Sequence, residues 1–254
     1  MRKKEKIEII GIMCVYNEEL NLAQCLKHLE KYVDKFVIYD DGSFDKTIEI
    51  LKTHPKVVKV ICSNNNKKDR KWKERANRKL VLNTAYSIAE TKNPWVFCLD
   101  PDERCEIRFL KNLRKIAYKY NNQNKLIYFH FRELWDNYKI YRIDGIWNQK
   151  RKGIFFQLAK KMTFDYDQEY HIPWAYREIL NNEVNLDYNI YHLKMIKAEE
   201  RQQRRNLYNK LDPLKKMQAI GYDYLVDTSD IKLKKISYFK RYDYKTIDNY
   251  YKEK

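Results

Sequence analysis

The segment VFCLDPDE at 96–103 carries four apolar residues straight into Asp100, Pro101, Asp102 and Glu103. Three carboxylates in four positions repel one another, and each must be solvated, protonated or paired with a cation. On an extended backbone residues two apart point the same way, so Asp100 and Asp102 present two oxygen ligands to one side. Such ligands suit Mg²⁺ or Mn²⁺, which keep coordination positions open for phosphate oxygens. Two more polar clusters follow apolar runs: YNEE at 16–19 and DDGS at 40–43. In the second, Asp40 reads as the turn residue and Asp41 as the one free to bind.

Elements that would place these clusters side by side are legible upstream and between them. IEIIGIMCV (7–15), FVIYD (36–40), VVKVICS (57–63) and WVFCLD (95–100) read as buried strands. Between them lie three helices. NLAQCLKHLEKYV (21–33) puts Leu22, Cys25, Leu26, Leu29 and Val33 on one face, with Asn21 at its start. DKTIEILKTH (45–54) begins at a capping Asp45, and ERANRKLVLNTAYSIAE (74–90) is a long helix. Strand and helix alternation predicts a mostly parallel α/β sheet with helices on both faces, where ligands bind outside the carboxyl ends of the strands. All three acidic clusters fall at such ends.

The second half is less regular. A helix is expected over 109–120, strands over 125–134 and 185–193, and a charged helix over 197–211. Pro213 and Gly221 bracket a shorter helix. Residues 135–185 show no clean periodicity. One domain over 1–254 is expected, its roles dividing near residue 125: 1–124 holds the acidic strand ends, 125–227 is the irregular half and 228–254 is a tail. That tail carries eight Lys/Arg against four acidic residues, with Tyr238, Phe239, Tyr242, Tyr244, Tyr250 and Tyr251 interleaved. Two readings fit it equally: contact with an anionic membrane surface, or a helix packed on the core by its aromatics.

Bulk composition narrows the class. The 254 residues are 44% hydrophobic, enough for a sizeable core, and 5 Gly and 5 Pro exclude fibrous or low-complexity chains. The formal charge of +17 points to anionic partners. Cys14, Cys25, Cys62, Cys98 and Cys105 show no paired spacing, which fits a reducing compartment. Neither a signal peptide nor an apolar stretch of about 20 residues is seen, so a cytoplasmic protein with peripheral membrane contact is expected.

VYNEELNLAQCLKHLEKYVDKFVIYDDGSFDKT followed by WVFCLDPDE resembles the family 2 glycosyltransferases of the GT-A fold, over residues 7–105. The resemblance implies a Rossmann-like sheet with an irregular acceptor region and C-terminal helices, a nucleotide-sugar-binding half over 1–124 and an acceptor and metal half over 125–227, and an inverting enzyme that uses a nucleotide sugar with Mn²⁺ or Mg²⁺. It assigns base and ribose binding to Tyr16, Asn17, Glu18 and Asp41. Metal and diphosphate go to Asp100 and Asp102, with Glu103 as a helix-start or supporting residue. WKERANRKL is similar to the segment bearing Arg and Asn near the nucleotide, here Arg75 and Asn77. A late histidine as a further metal ligand maps to His192; the helix beyond it carries Arg201, Arg204 and Arg205, which read first as a solvated basic face and second as cover for the diphosphate.

An inverting transfer needs a base on the face opposite the leaving group. HIPWAYREIL resembles the His-Glu segment of lipid-sugar-core transferases and offers Glu178, although its histidine, His171, stands apart from it. Apolar flanks (Ile172, Trp174, Tyr176, Ile179 and Leu180) are expected to raise the Glu178 pKa; Asp144, Asp167 and Glu169 compete with it. Trp147 and Trp174 offer an aromatic platform for a sugar ring, although burial in the core is the commoner role of tryptophan. The expected partners are a UDP- or GDP-linked sugar and a glycan, lipid-linked or protein acceptor, with no nucleic acid. A nucleotidyltransferase of similar sheet is the rival, weakened because YNEE stands where a glycine-rich basic loop would hold triphosphate. A nucleic-acid binder explains the charge but leaves the three acidic strand ends without a role.

Overall fold

A computed structural model describes residues 6–63, 73–166, 172–216 and 218–252. The β/α alternation of the first half forms as expected: β1 (Ile9–Val15), α1 (Leu22–Leu29), β2 (Lys35–Asp40), α2 (Thr47–Thr53), β3 (Val57–Cys62), α3 (Glu74–Ser87) and β4 (Trp95–Cys98). β1 pairs in parallel with both β2 and β4, and β2 with β3. Strand residues are buried on both faces because helices cover the sheet, which is why β1, β2 and β4 read as continuous apolar runs. On α1 the buried face is Leu22, Cys25, Leu26 and Leu29, as the periodicity required. Burying each such leucine contributes about 1.5–3 kcal/mol.

The chain then continues through β5 (Glu103–Cys105), α4 (Ile107–Lys119), β6 (Leu126–Glu133), β7 (Ile140–Arg142), β8 (Arg151–Gln157), β9 (Glu183–His192), α5 (Ala198–Leu211) and β10 (Leu233–Lys235). The main sheet has eight strands in the order β3-β2-β1-β4-β8-β6-β9-β5. It is an α/β fold of GT-A type, parallel on one side and mixed on the other.

β8 corrects the expected irregularity of 135–185. It lies in the middle of the sheet, antiparallel to β4 on one side and to β6 on the other. Its sequence, RKGIFFQ, neither alternates nor avoids glycine. Gly153 is there for space: a Cβ would stand 2.7 Å from the Tyr128 ring of β6. The short helix expected between Pro213 and Gly221 is absent among the described residues, where turns replace it and Gly221 takes φ +71°.

Among its described residues the tail forms no α-helix. β10 pairs antiparallel with β7, and three single 3₁₀ turns follow at Tyr238–Lys240, Tyr244–Thr246 and Asn249–Tyr251. Tyr242, Ile247 and Tyr251 bury against Leu134, Tyr191, Leu193 and Ile196. Half of the packing reading therefore holds, without the helix, while Tyr238 and Phe239 stay 67% and 78% exposed. Among the described residues no helix is long and apolar enough to cross a membrane.

Candidate active site

Because β1, β2 and β4 run parallel, the loops after them meet at one edge of the sheet, over a cavity of about 790 Å³. Tyr16, Glu18, Asp41, Asp100 and Asp102 all line it. The first two loops are stitched together. Asn17 takes φ +51°; its N–H donates to Ser43 Oγ at 2.9 Å, and its Oδ1 accepts from the Phe44 N–H at 3.0 Å. The Glu18 N–H donates to Thr47 Oγ1 at 2.8 Å. Asp40 Oδ2 accepts from the amides of Gly42 and Ser43, both at 3.0 Å, which makes it the turn residue. Asn17 is thus a brace between loops and does not line the cavity, whereas Asp41 does.

Lysines and a histidine meet the crowded carboxylates of DPDE. Lys152 Nζ lies 2.7 Å from Asp100 Oδ2 and also bonds Glu103 Oε1. Asp102 Oδ2 lies 2.9 Å from His192 Nε2 and 3.7 Å from Lys194 Nζ. Burial alone would raise the pKa of each carboxyl. At Asp100 Lys152 outweighs it, and at Asp102 Lys194 and His192 do, so both are held below the usual range. Glu103 is more enclosed, and burial prevails over Lys152 there: its pKa is pushed up to about 7. Glu103 Oε2 also accepts from the Asp100 N–H at 3.1 Å, so it braces the turn as a supporting residue.

His192, at the end of β9, is buried and reaches Asp102 as the register requires, since β9 pairs with β5 at Glu103. Its Nδ1 sits against Glu133 Oε2 at 2.5 Å. Burial would lower its pKa, but the two carboxylates override that and raise it to about 9. Glu133 also takes Lys150 Nζ at 2.9 Å. Arg204 approaches the Nε2 edge at 2.9 Å and Tyr208 Oη at 3.2 Å. Of the three α5 arginines offered as cover for the diphosphate, only Arg204 lines the cavity. Arg201 is buried against Asp136 at 2.8 Å and the carbonyls of Met195 and Ile196, and Arg205 pairs with Asp223 at the surface.

On the opposite wall, α3 brings Asn77 into the cavity, but Arg75 turns away to donate to the Tyr166 carbonyl. On α3 the arginine that lines the cavity is Arg78, three residues and nearly one helical turn further on. It pairs with Glu74 at 2.7 Å and stacks on Trp174 with 4.5 Å to the ring centroid. Trp174 therefore faces the cavity, while Trp147 packs on Trp135 in a separate buried cluster, and the platform shrinks to one ring.

Glu178 is not brought to the cavity. It lies exposed on the 3₁₀ turn Arg177–Ile179, where Oε1 accepts from Thr163 Oγ1 at 2.6 Å. Its apolar neighbours point inward and leave the carboxylate outside. What burial it has would raise its pKa, and the Thr163 bonds reverse this, holding it below the usual range. Asp144 is bound by Arg142 at 2.9 Å. Asp167, Glu169 and His171 fall outside the described residues.

Lys150, Lys152, Lys194 and Glu133 escaped the sequence reading. The lysines are unremarkable in a chain with 52 basic residues, and no local pattern says which of them returns to the DPD turn.

The donor set fits a divalent cation in its chemistry. Two carboxylates stand at one rim beside an imidazole whose other nitrogen is held by a third carboxylate, an arrangement that orients metal-bound histidines. Among the described residues, however, no three such groups are already gathered as a ligand set. Lysines occupy the carboxylates instead.

The parallel β/α half, its acidic strand ends and the cavity above them define an α/β domain with a candidate ligand site at the carboxyl ends of its strands. Residues 12–169 match the sequence model of glycosyl transferase family 2, more than half of the chain, and the chain belongs to that family. No curated protein sequence matches it. Among solved structures it is similar to a 4-diphosphocytidyl-2C-methyl-D-erythritol synthase: 17% identity, TM-score 0.35, 49% of this chain and 60% of that one. It is also similar to glucosyl-3-phosphoglycerate synthase from Mycobacterium tuberculosis, solved with Mn²⁺, UDP and glucosyl-3-phosphoglycerate: 12% identity, TM-score 0.31, 50% of this chain and 44% of that one. A third is a glycosyltransferase involved in glycosylation of the major capsid of PBCV-1: 14% identity, TM-score 0.35, 79% of this chain and 99% of that one. The chain thus spans less than two thirds of the first two.

Proposed function

We propose that the chain transfers a sugar from a nucleoside diphosphate donor to an acceptor hydroxyl, with inversion at the anomeric carbon. The observation that carries this reading is the convergence of Tyr16, Asp41, Asp100 and Asp102 on one cavity at the ends of three parallel strands. Tyr16 and Asp41 take the nucleoside, the tyrosine by its ring face and the carboxylate by accepting hydroxyl or imide protons. Asp100, Asp102 and His192 would hold Mn²⁺ or Mg²⁺, which would neutralise the departing diphosphate. Arg204, Lys194 and Lys152 surround the same position with cationic donors, and Arg78 on Trp174 closes the sugar side. A nucleotidyltransferase would need a basic phosphate loop after β1, where this chain places Glu18 and Glu19.

The acceptor is a glycan, lipid-linked or protein-linked hydroxyl. Peripheral contact with an anionic membrane narrows to Tyr238 and Phe239, flanked by Lys234, Lys235, Lys240 and Arg241, since the other tail rings are turned inward or packed on neighbours. Phe239→Ser should weaken sedimentation with anionic vesicles; unchanged binding removes the membrane from the reading.

A panel of nucleotide sugars, with and without Mn²⁺, tests the activity through release of nucleoside diphosphate. Asp102→Ala should keep the circular dichroism spectrum and lose turnover. Full activity of that variant, or of the parent in excess EDTA, refutes the metal assignment.

A further inference from the structure

The neutralisation of Asp100 comes from strand register. β4 and β8 are antiparallel, with Phe97 opposite Phe155. Three residues onward along one strand and three back along the other bring Asp100 alongside Lys152. The ammonium is therefore delivered to the DPD turn by the sheet itself, and it lies over the Phe131 ring, 5.4 Å from the centroid. Its two carboxylates differ: the Glu103 side chain is 2% exposed, and the Asp100 side chain is 34% exposed at the cavity. One partner is fixed inside, and the other faces the space that a ligand enters.

An ammonium and a divalent cation compete for the same carboxylate, since each repels the other at contact distance. A free metal ion would have to dislodge Lys152 with nothing offered in return. A nucleoside diphosphate changes the exchange, because its phosphate oxygens give the displaced ammonium a new partner while they also bind the metal. The long, flexible lysine stem permits that short swing from Asp100 into the cavity.

We propose that Lys152 keeps Asp100 closed to a free divalent cation and yields it only when a nucleoside diphosphate arrives, so that metal and nucleotide bind as a unit. This rests on the metal-assisted reading above. It makes Lys152 a positioning residue that sets the order of binding.

The test is titration of Mn²⁺ alone, and of Mn²⁺ with UDP, followed by electron paramagnetic resonance of the free ion. The parent should bind Mn²⁺ weakly alone and tightly with UDP. Lys152→Met should bind Mn²⁺ alone about 10–100-fold more tightly than the parent, the range over which groups supporting metal ligands act. Lys152→Arg, which keeps the charge, should behave as the parent does. If removal of Lys152 strands a buried charge and Lys152→Met does not fold, Lys152→Met with Glu103→Gln is compared with Glu103→Gln alone. Equal or weaker Mn²⁺ binding by the methionine variant overturns the proposal, as does a parent that binds Mn²⁺ equally well with and without UDP. Absence of Mn²⁺ binding by parent and variants even with UDP overturns it too, and in that case the metal-assisted reading falls with it.

Discussion

Arg104 directly follows the DPDE segment and is fully buried. Its guanidinium donates to four backbone carbonyls: Thr246 at 2.8 Å, Pro101 and Glu103 each at 2.8 Å, and Asn21 at 3.3 Å. These carbonyls belong to three separate pieces of chain: the DPD turn, the start of α1 and the tail. Arg104→Met preserves the unbranched stem and removes every donor. A hydrogen bond to a charged group is worth about 1.5–3 kcal/mol, and three of the four bonds have short geometry. The bonds share one side chain, and the carbonyls relax towards other donors, so their energies do not add. A loss of about 3–5 kcal/mol follows, a large part of the roughly 5–15 kcal/mol that holds an ordinary domain together. Urea unfolding should show a lower midpoint with an unchanged slope. Hydrogen exchange at residues 242–251 should quicken, and UDP affinity should fall because the turn bearing Asp100 and Asp102 loses its tie. Arg104→Lys should recover part of the stability with fewer of the bonds. A methionine variant within about 1 kcal/mol of the parent, with an equally protected tail, would refute the reasoning, since that is the size of an ordinary substitution.

Asp41→Ala should weaken UDP binding without metal about ten- to a hundredfold, the worth of one charge-assisted hydrogen bond of about 1.5–3 kcal/mol; unchanged calorimetric affinity would leave Asp41 no part in nucleoside binding. Glu178→Gln should leave turnover within about threefold of the parent, because its carboxylate faces solvent and Thr163; a loss of about 10²–10⁴ would restore it as the base. The Glu106 carboxyl is buried, with its pKa raised from 4.5 to about 7 by that burial against the opposing Asn189 amide bond. Its contribution to stability is complete below pH 4.5 and is lost as pH rises through 7. Glu106→Gln should therefore remove about one proton from the slope of unfolding free energy between pH 5 and 7, and a slope identical to the parent's would contradict the burial argument.

What the sequence determined by itself lies in its local patterns. Helical spacing in 21–33 and apolar runs ending in YNEE, DDGS and DPDE needed only neighbours along the chain, and the sheet they imply places Tyr16, Asp41, Asp100 and Asp102 at one edge. Asp40 as the turn residue follows from bonds two and three residues away. The other side of the cavity is non-local. Lys152 reaches Asp100 across 52 positions, His192 reaches Asp102 across 90 and Lys194 reaches Glu18 across 176. β8 escaped detection because a central strand with both faces covered need not alternate, and because its glycine answers to the Tyr128 ring of another strand. Glu178 shows the converse: its apolar flanks are real, but which way a side chain leaves a 3₁₀ turn is decided by packing, and packing turned the carboxylate to water. Which cation meets which carboxylate is a matter of strand register, and register is settled only when the whole sheet has closed around its core.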